Sequence, residues 1–189
     1  MDRWDGDAAL ELVEQEKITT LGGVPTMLWD ILQAETFADR DLSSLMSISC
    51  GGQALPLNLL AEIRKTFPQA FIGAGYGMTE TSGAISQANG EAFVRNPQAS
   101  GQILPMMDVQ IANDQGQPCG TGEVGEIWVK GAALMQGYYG RPEDTARSMS
   151  GEWFKTGDIG KVDEEGYIYI AAPPLYLVKK GQKREYAWD

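Results

Sequence analysis

The sequence predicts an α/β fold, in which a partial parallel sheet with helices is followed by a small, mostly antiparallel β-barrel-like unit. In the first half, segments with helical spacing alternate with short apolar runs, which is typical of a parallel sheet covered by helices. After residue 100, short alternating segments are separated by turn sequences, which is typical of antiparallel strands.

Helical spacing and proline positions predict three helices in the first half. Residues 7–16 carry apolar side chains at helical intervals, and Pro25 and Pro56 suit the first turns of two further helices. Short apolar or β-branched runs between them predict strands over residues 18–24, 45–52 and 70–77. Because helices separate these strands, we expect the strands to be parallel.

Turn chemistry predicts a different organisation for the second half. The segments "MDVQIAN", "GEIWVKG" and "GKVDEEGYIYI" alternate as strands do, with "DQGQ" and "DEEG" as turns, and "RPEDTARSM" predicts one helix. A third composition follows, with four Lys or Arg residues between Lys179 and Arg184. We therefore predict an α/β part over residues 1–96, a small β subdomain over 97–171 and a divergent basic tail over 172–189.

Composition argues against several classes of partner and catalysis. The net charge of −11 disfavours nucleic acid and anionic membranes, because both are bound through neutralisation of phosphate. The absence of histidine excludes Ser-His-Asp and Cys-His catalysis. The N-terminal residues do not resemble a signal peptide and no apolar run reaches about 18 residues, so we predict a cytoplasmic protein with no membrane partner. Cys50 is predicted to be a small buried residue at a strand end.

The stretch "FIGAGYGMTETSGAI", residues 71–85, places polar side chains directly after an apolar run. In an open parallel sheet, ligands bind beyond the carboxyl ends of the strands. There Tyr76 offers a face for stacking a base, Thr79 a hydroxyl for a phosphate oxygen, and Glu80 a carboxylate suited to Mg²⁺. The three glycines before Met78 allow close approach of a ligand to the backbone. A tight loop with a solvated Glu80 is the alternative interpretation.

Two further short patterns resemble binding motifs. Gly157 before Asp158 can present the carboxylate to a pair of ribose hydroxyls, although an Asx-type turn also fits these residues. The run "GTGEVG", residues 120–125, spells a dinucleotide-binding fingerprint. That motif requires a strand before it and a helix after it. Here a strand-like segment follows, so we predict a turn.

Five motifs in a matching order resemble the adenylate-forming superfamily, which includes acyl- and aryl-CoA synthetases. They are "TTLGGVPTML", "SCGGQALP", "GYGMTETSG", "GEIWVKGAALMQGYYGRPEDTARSM" and "GEWFKTGDIGKVDEEGYIYI". The resemblance covers roughly residues 4–170. It implies a segment from the later part of the large N-terminal domain of such an enzyme.

The resemblance implies a role for individual residues of this sequence. Thr79 would contact the α-phosphate and Glu80 would hold Mg²⁺, which makes these two the implied catalytic residues. Tyr76 would stack on the adenine and Asp158 would bind the ribose hydroxyls. The residues implied to bind ATP or AMP are Gly51, Gly52, Gln53, Tyr76, Gly77, Met78, Thr79 and Asp158. The residues implied to border the acyl pocket are Val24, Pro25, Gly75 and Gly83.

By resemblance, the partners are a carboxylic acid and CoA. The family joins the acid to ATP, giving acyl-AMP and pyrophosphate, and then passes the acyl group to a thiol, usually that of CoA. The sequence departs from the family where Ala172 and Pro173 replace an Asp-Arg hinge. We also find no counterpart of the Ser/Thr/Gly-rich phosphate loop or of the lid lysine, since Lys179 and Lys180 lie in a different context.

The resemblance implies an acyl-CoA synthetase of fatty acid metabolism. The departures predict that this chain is a truncated form, which keeps part of the ATP/AMP and acyl site but is not catalytic alone. A non-catalytic binding or interaction protein on the same scaffold is the alternative. An unpaired sheet edge and bare apolar helix faces predict a homo-oligomer.

Overall fold

The computed structural model describes residues 3–52 and 55–171. The α-helices of this part are α1 (Gly6–Gln15), α2 (Pro25–Leu32), α3 (Leu57–Thr66), α4 (Glu91–Arg95) and α5 (Pro142–Ser148). The strands are β1 (Thr20–Gly23), β2 (Ser47–Cys50), β3 (Phe71–Met78), β4 (Gly83–Asn89), β5 (Gln102–Ile103), β6 (Met107–Ala112), β7 (Gly125–Gly131), β8 (Met149–Ser150), β9 (Trp153–Val162) and β10 (Ile168–Ile170). Two 3₁₀ turns cover Phe37–Asp39 and Thr79–Thr81.

The chain forms two compact units. The first comprises Met1–Tyr76 and Ala88–Gln98, and the second comprises Gly77–Gln87 and Ala99–Asp189. Both β3 and β4 therefore begin in one unit and end in the other. The division of the chain at residues 96 and 171 that the sequence suggested stays a prediction.

In the first unit, parallel strands carry helices. β2 pairs in parallel with β1, and its Ser47 to Cys50 face residues 71–74 of β3. The helices begin where the sequence supplies caps: the Asp5 side chain accepts the Ala8 N–H at 2.9 Å, and Pro25 opens α2. Their apolar faces build one core, whose fully buried members include Leu10, Ile31, Leu45, Ile48, Leu59, Ile63 and Phe93.

In the second unit, the strands are antiparallel. One sheet has the order β10-β9-β7-β6, with β8 on β9, and β5 pairs with β4. Inward-facing side chains of β7, β9 and β10 are buried, among them Ile127, Val129, Phe154 and Ile168. The fold class predicted from sequence is therefore confirmed.

The structure also contains a strand that sequence patterning did not indicate. Ser86 of β4 is fully buried, and its hydroxyl donates to the Ser100 carbonyl at 2.8 Å, which offsets the cost of burying a polar group. A polar residue at an inward position hides the apolar alternation that signals a strand. The second predicted helix begins at Pro25, as expected, and ends at Leu32. The "GTGEVG" run forms a turn that leads into β7, as predicted.

Two further expectations from sequence concern membrane-spanning helices and the basic tail. In the described part of the chain, no helix is both long and apolar enough to cross a membrane. The basic tail, including Ala172, Pro173, Lys179 and Lys180, lies outside the described residues.

Candidate functional site

The stretch from Phe71 to Ile85 forms a strand, a turn and a second strand. Tyr76 lies within β3 and is 9% exposed. Met78 ends the strand, Thr79–Thr81 form the 3₁₀ turn, and Ser82 adopts φ 53° before β4 begins. The backbone thus places exposed Thr79 and half-buried Glu80 just beyond the carboxyl end of β3, where the sequence analysis predicts a ligand.

A buried threonine holds this turn together. Thr81 is 1% exposed, and its Oγ1 lies 2.9 Å from the Met78 carbonyl oxygen and 2.7 Å from that of Gly83. The same oxygen accepts the Met78 N–H at 3.2 Å. One hydroxyl therefore ties the end of β3 to the start of β4, and the position of Glu80 between them is fixed by the backbone.

Glu80 is also held from the segment between β7 and α5. The Tyr138 hydroxyl donates to Glu80 Oε1 at 2.9 Å, and the Met135 N–H donates to the Glu80 carbonyl at 2.8 Å. The hydrogen bond to Glu80 raises the pKa of the Tyr138 phenol, with further contributions from burial and from the charge of the carboxylate. Nothing in the sequence spacing links Tyr138 or Met135 to residue 80, so neither contact is predictable from the sequence alone.

Asp158 lies in a bulge of β9. Three residues, Thr156 to Asp158, stand opposite the single Ile127 of β7, between the pairs Trp128–Lys155 and Glu126–Ile159. The Thr156 hydroxyl donates to the Ile127 carbonyl at 2.7 Å and accepts the Asp158 N–H at 3.1 Å. Bulges frequently redirect side chains beside functional sites, and this one sets the direction of the half-buried Asp158.

The other predicted nucleotide and acyl residues lie mainly around the ends of β1 and β2. The Gly51 N–H donates to the Gly23 carbonyl at 3.1 Å, directly after β2. Gly52 has φ 76°, and a Cβ there would lie 3.4 Å from Val24 Cγ1. Pro25 is buried at the start of α2. The structure thus brings these residues together, whereas Gln53 lies outside the described residues.

The glycines of β3 accommodate a neighbouring strand. A Cβ on Gly77 would overlap the Gly83 carbonyl oxygen, and one on Gly73 would overlap the Asn89 side chain. At Gly73 and Gly77, residues of β4 therefore occupy the space beside the backbone where a ligand was expected. A role of Gly75, Gly77 and Gly83 in binding stays a prediction.

The predicted site residues divide between the two units. Val24, Pro25, Gly51, Gly52, Gly75 and Tyr76 belong to the first unit, and Gly77, Met78, Thr79, Glu80, Gly83 and Asp158 belong to the second. Within the second unit, hydrogen bonds from Thr81, Tyr138 and Met135 hold the turn at Glu80.

The donor set fits a magnesium ion shared with phosphate. Glu80 offers one carboxylate, of which Oε1 already accepts the Tyr138 hydroxyl. Among residues 3–52 and 55–171, no group of three or more His, Cys, Asp and Glu side chains is arranged to hold a metal ion. Mg²⁺ usually keeps several waters and binds through one or two carboxylates plus substrate phosphates. The residues present therefore suit a partly hydrated ion and not a closed protein cage.

Comparison with known proteins gives a consistent result. The family model of AMP-binding enzymes matches residues 1–139. A feruloyl-CoA synthase from an Amycolatopsis species is 37% identical over 167 residues, which cover 88% of this chain and 34% of that protein. The 2-succinylbenzoate–CoA ligase of Bacillus velezensis is 36% identical over 178 residues, covering 94% of this chain and 35% of that protein.

Solved structures agree with the sequence relatives. O-succinylbenzoate coenzyme A synthetase (MenE) from Bacillus subtilis, in complex with ATP and magnesium ion, matches with a TM-score of 0.79 and 32% identity over 90% of this chain and 35% of that one. The chain spans about a third of the length of the relatives it matches. On the family match and on these likenesses, the chain belongs to the AMP-binding enzyme family.

Proposed function

We propose that this chain is the part of an acyl- or aryl-CoA ligase that binds the adenylate and one magnesium ion. The observation that carries the proposal is the Thr79–Thr81 turn at the carboxyl end of β3. The Thr81 hydroxyl stabilises this turn through the Met78 carbonyl, and Tyr138 and Met135 donate hydrogen bonds to Glu80. The turn lies inside the segment that matches the AMP-binding enzyme family.

The side chains of the turn and of the β9 bulge have the chemistry that an adenylate requires. The exposed Thr79 hydroxyl can donate to a phosphate oxygen, and the Asp158 carboxylate can accept hydrogen bonds from both ribose hydroxyls. Glu80 supplies a hard oxygen ligand, and bound Mg²⁺ would neutralise charge on the phosphates. Tyr76 is 9% exposed, and its stacking on the adenine stays a prediction.

The proposed substrates are a carboxylic acid that bears an aromatic ring, ATP, and CoA as acyl acceptor. Support comes from the relatives, whose names include feruloyl-CoA synthase, 4-coumarate–CoA ligase and indoleacetate–CoA ligase. The role in fatty acid metabolism and the cytoplasmic location expected from sequence stay predictions, without support from these names.

The 189-residue chain alone is proposed not to form acyl-CoA. It spans about a third of its relatives' length, and the phosphate loop and lid lysine that the family resemblance implies have no counterpart identified in the sequence. Loss of one such donor costs about 10²–10³ in rate. ATP–pyrophosphate exchange with a panel of aromatic and aliphatic acids tests this. Exchange above a no-protein blank would contradict it.

Nucleotide binding can be tested by NMR titration of the isolated chain with AMP and 2′,3′-dideoxy-AMP. With few contacts, we expect a dissociation constant of about 1 mM, or about −4 kcal/mol. Asp158→Ala should weaken AMP more than the dideoxy analogue, because AMP alone offers both hydroxyls. Tyr76→Ala should weaken both nucleotides alike. Equal losses on Asp158→Ala would refute the ribose contact, and no shift with the unmodified chain would favour a non-catalytic interaction protein.

A homo-oligomer is a further proposal. Exposed apolar side chains of the first unit, Leu12, Met46, Leu57 and Phe71, support it. Light scattering at roughly 100 µM, well above typical micromolar affinities, should detect a dimer or a larger species. A monomer at that concentration would contradict the proposal.

A further inference from the structure

The Glu80 carboxylate has one side-chain hydrogen bond among the described residues, and it comes from a residue 58 positions away. The Tyr138 hydroxyl donates to Oε1 at 2.9 Å in a partly buried setting. A neutral phenol fixes one oxygen of the carboxylate while leaving its negative charge in place. Oε2 is then the oxygen that can face a cation.

Tyr138 is itself fixed through its backbone to the first turn of α5. Its N–H donates to Thr145 Oγ1 at 2.9 Å, and its carbonyl accepts the Arg141 N–H at 3.1 Å. Thr145 Oγ1 in turn donates to the Arg141 carbonyl at 3.0 Å. The preceding Gly137 has φ 149°, and a Cβ there would lie 2.9 Å from Thr145 Cγ2, so glycine permits this close approach.

These contacts make a continuous support that runs from α5 through Tyr138 to Glu80. The Met135 N–H, from the same segment, donates to the Glu80 backbone carbonyl. Met135 and Tyr138 therefore donate hydrogen bonds to the backbone and to the side chain of Glu80, respectively. A hydrophobic packing role does not account for this arrangement, because Tyr138 is only partly buried and uses its polar atom.

We propose that Tyr138 is a positioning residue that orients the Glu80 carboxylate to ligate the magnesium ion of the bound nucleotide. The inference rests on the proposed function, since it assumes that Glu80 binds the metal. Partners that orient metal-ligating carboxylates typically contribute about 10–100-fold to metal affinity. Tyr138→Phe keeps the ring and removes only the hydroxyl, so its effect reports the hydrogen bond.

The experiment follows amide resonances of the full chain with ATP while Mn²⁺, a paramagnetic substitute for Mg²⁺, is added. In the unmodified chain, signals of residues 79–82 should broaden first, and Glu80→Gln should abolish this selectivity. Tyr138→Phe should raise the Mn²⁺ concentration for half-broadening by about 10-fold or more. ATP-induced shifts measured in EDTA should stay unchanged, because the metal-free contacts do not involve Tyr138.

Matched variants separate positioning from general structural damage. The neighbouring Tyr139 is 104% exposed, so Tyr139→Phe should leave the half-broadening concentration unchanged. Thr145→Val removes the hydroxyl that fixes Tyr138 and should shift broadening in the same direction as Tyr138→Phe. It also tests the support if Tyr138→Phe does not fold. Because Tyr138 acts through Glu80, the double variant Tyr138→Phe/Glu80→Gln should match Glu80→Gln alone.

Three results would overturn the inference. Glu80-dependent broadening that is the same in Tyr138→Phe and in the unmodified chain would remove the positioning role and leave the proposed function intact. A loss of ATP shifts in EDTA for Tyr138→Phe would assign the tyrosine a purely structural role. Absence of Glu80-dependent broadening in the unmodified chain would refute metal binding at Glu80, and both proposals would fall.

Discussion

Replacing Thr81 by valine should destabilise the chain by about 2 kcal/mol. Valine nearly preserves the shape of threonine but lacks the hydroxyl, which in this structure contacts the Met78 N–H and the carbonyls of Met78 and Gly83. At 1% exposure, water cannot replace those contacts without opening the turn. A buried polar group left without its partner costs about 1–3 kcal/mol, and the added methyl group offsets a small part of that.

Urea unfolding of the full chain measures this loss, and Thr79 provides a matched control. Thr79 lies in the same turn but is exposed, so Thr79→Val should change the free energy of unfolding by no more than about 0.5 kcal/mol. Hydrogen exchange at the Met78 amide should accelerate in Thr81→Val. Equal stability of the two variants, or a smaller loss for Thr81→Val than for Thr79→Val, would contradict the stabilising role of the Thr81 hydroxyl.

Three further predictions follow from burial and from local hydrogen bonds. Gly77→Ala should lower the free energy of unfolding by about 3 kcal/mol in urea titrations, because its Cβ would overlap the first carbonyl oxygen of β4. Hydrogen bonds from Thr36 lower the pKa of Asp7, so their stabilisation is complete above about pH 4 and is lost as the pH falls through the folded pKa. Asp7→Asn should therefore flatten acid unfolding curves, and an unchanged curve would contradict this. Burial raises the pKa of the Cys50 thiol to about 11, so mass spectrometry after iodoacetamide treatment at pH 8 should find Cys119 labelled and Cys50 unmodified until urea is added.

Much of the fold was predictable because local chemistry and tertiary structure agree. Pro25 and Pro142 open helices α2 and α5, and the run "GEIWVKG" forms β7 over the predicted residues. Cys50 is buried at 4% exposure as the last residue of β2, as predicted. Strand β4 was not predicted, because the buried Ser86 interrupts its apolar pattern. The Ser86 hydroxyl donates to the carbonyl of Ser100, and a buried polar group requires such a partner, which the local sequence does not reveal.

The candidate site was predictable only in part, for the same reason. The sequence places Thr79 and Glu80 after an apolar strand, and local residues suffice for that inference. The donor to the Glu80 carboxylate is Tyr138, which lies 58 residues away in a run of two tyrosines between glycines. Tyr139 has the same local sequence context but is fully exposed. Tyr138 is distinguished from Tyr139 by the hydrogen bond between its backbone N–H and Thr145 of α5. No local sequence pattern indicates this contact.

The hydrogen bonds around Glu80 also explain how the turn tolerates an unfavourable backbone. Ser82 adopts φ 53°, a left-handed conformation that costs a residue with a side chain about 1–2 kcal/mol. Such conformations persist where the surrounding structure over-determines them, and they cluster at functional sites. Here the Thr81 hydroxyl contacts the Met78 and Gly83 carbonyls on either side of Ser82, and Met135 and Tyr138 hold the nearby Glu80. Glycine at residue 82 would adopt this conformation at little steric cost. The strain at Ser82, two residues from a carboxylate held at both backbone and side chain, supports the proposal that this turn binds a ligand.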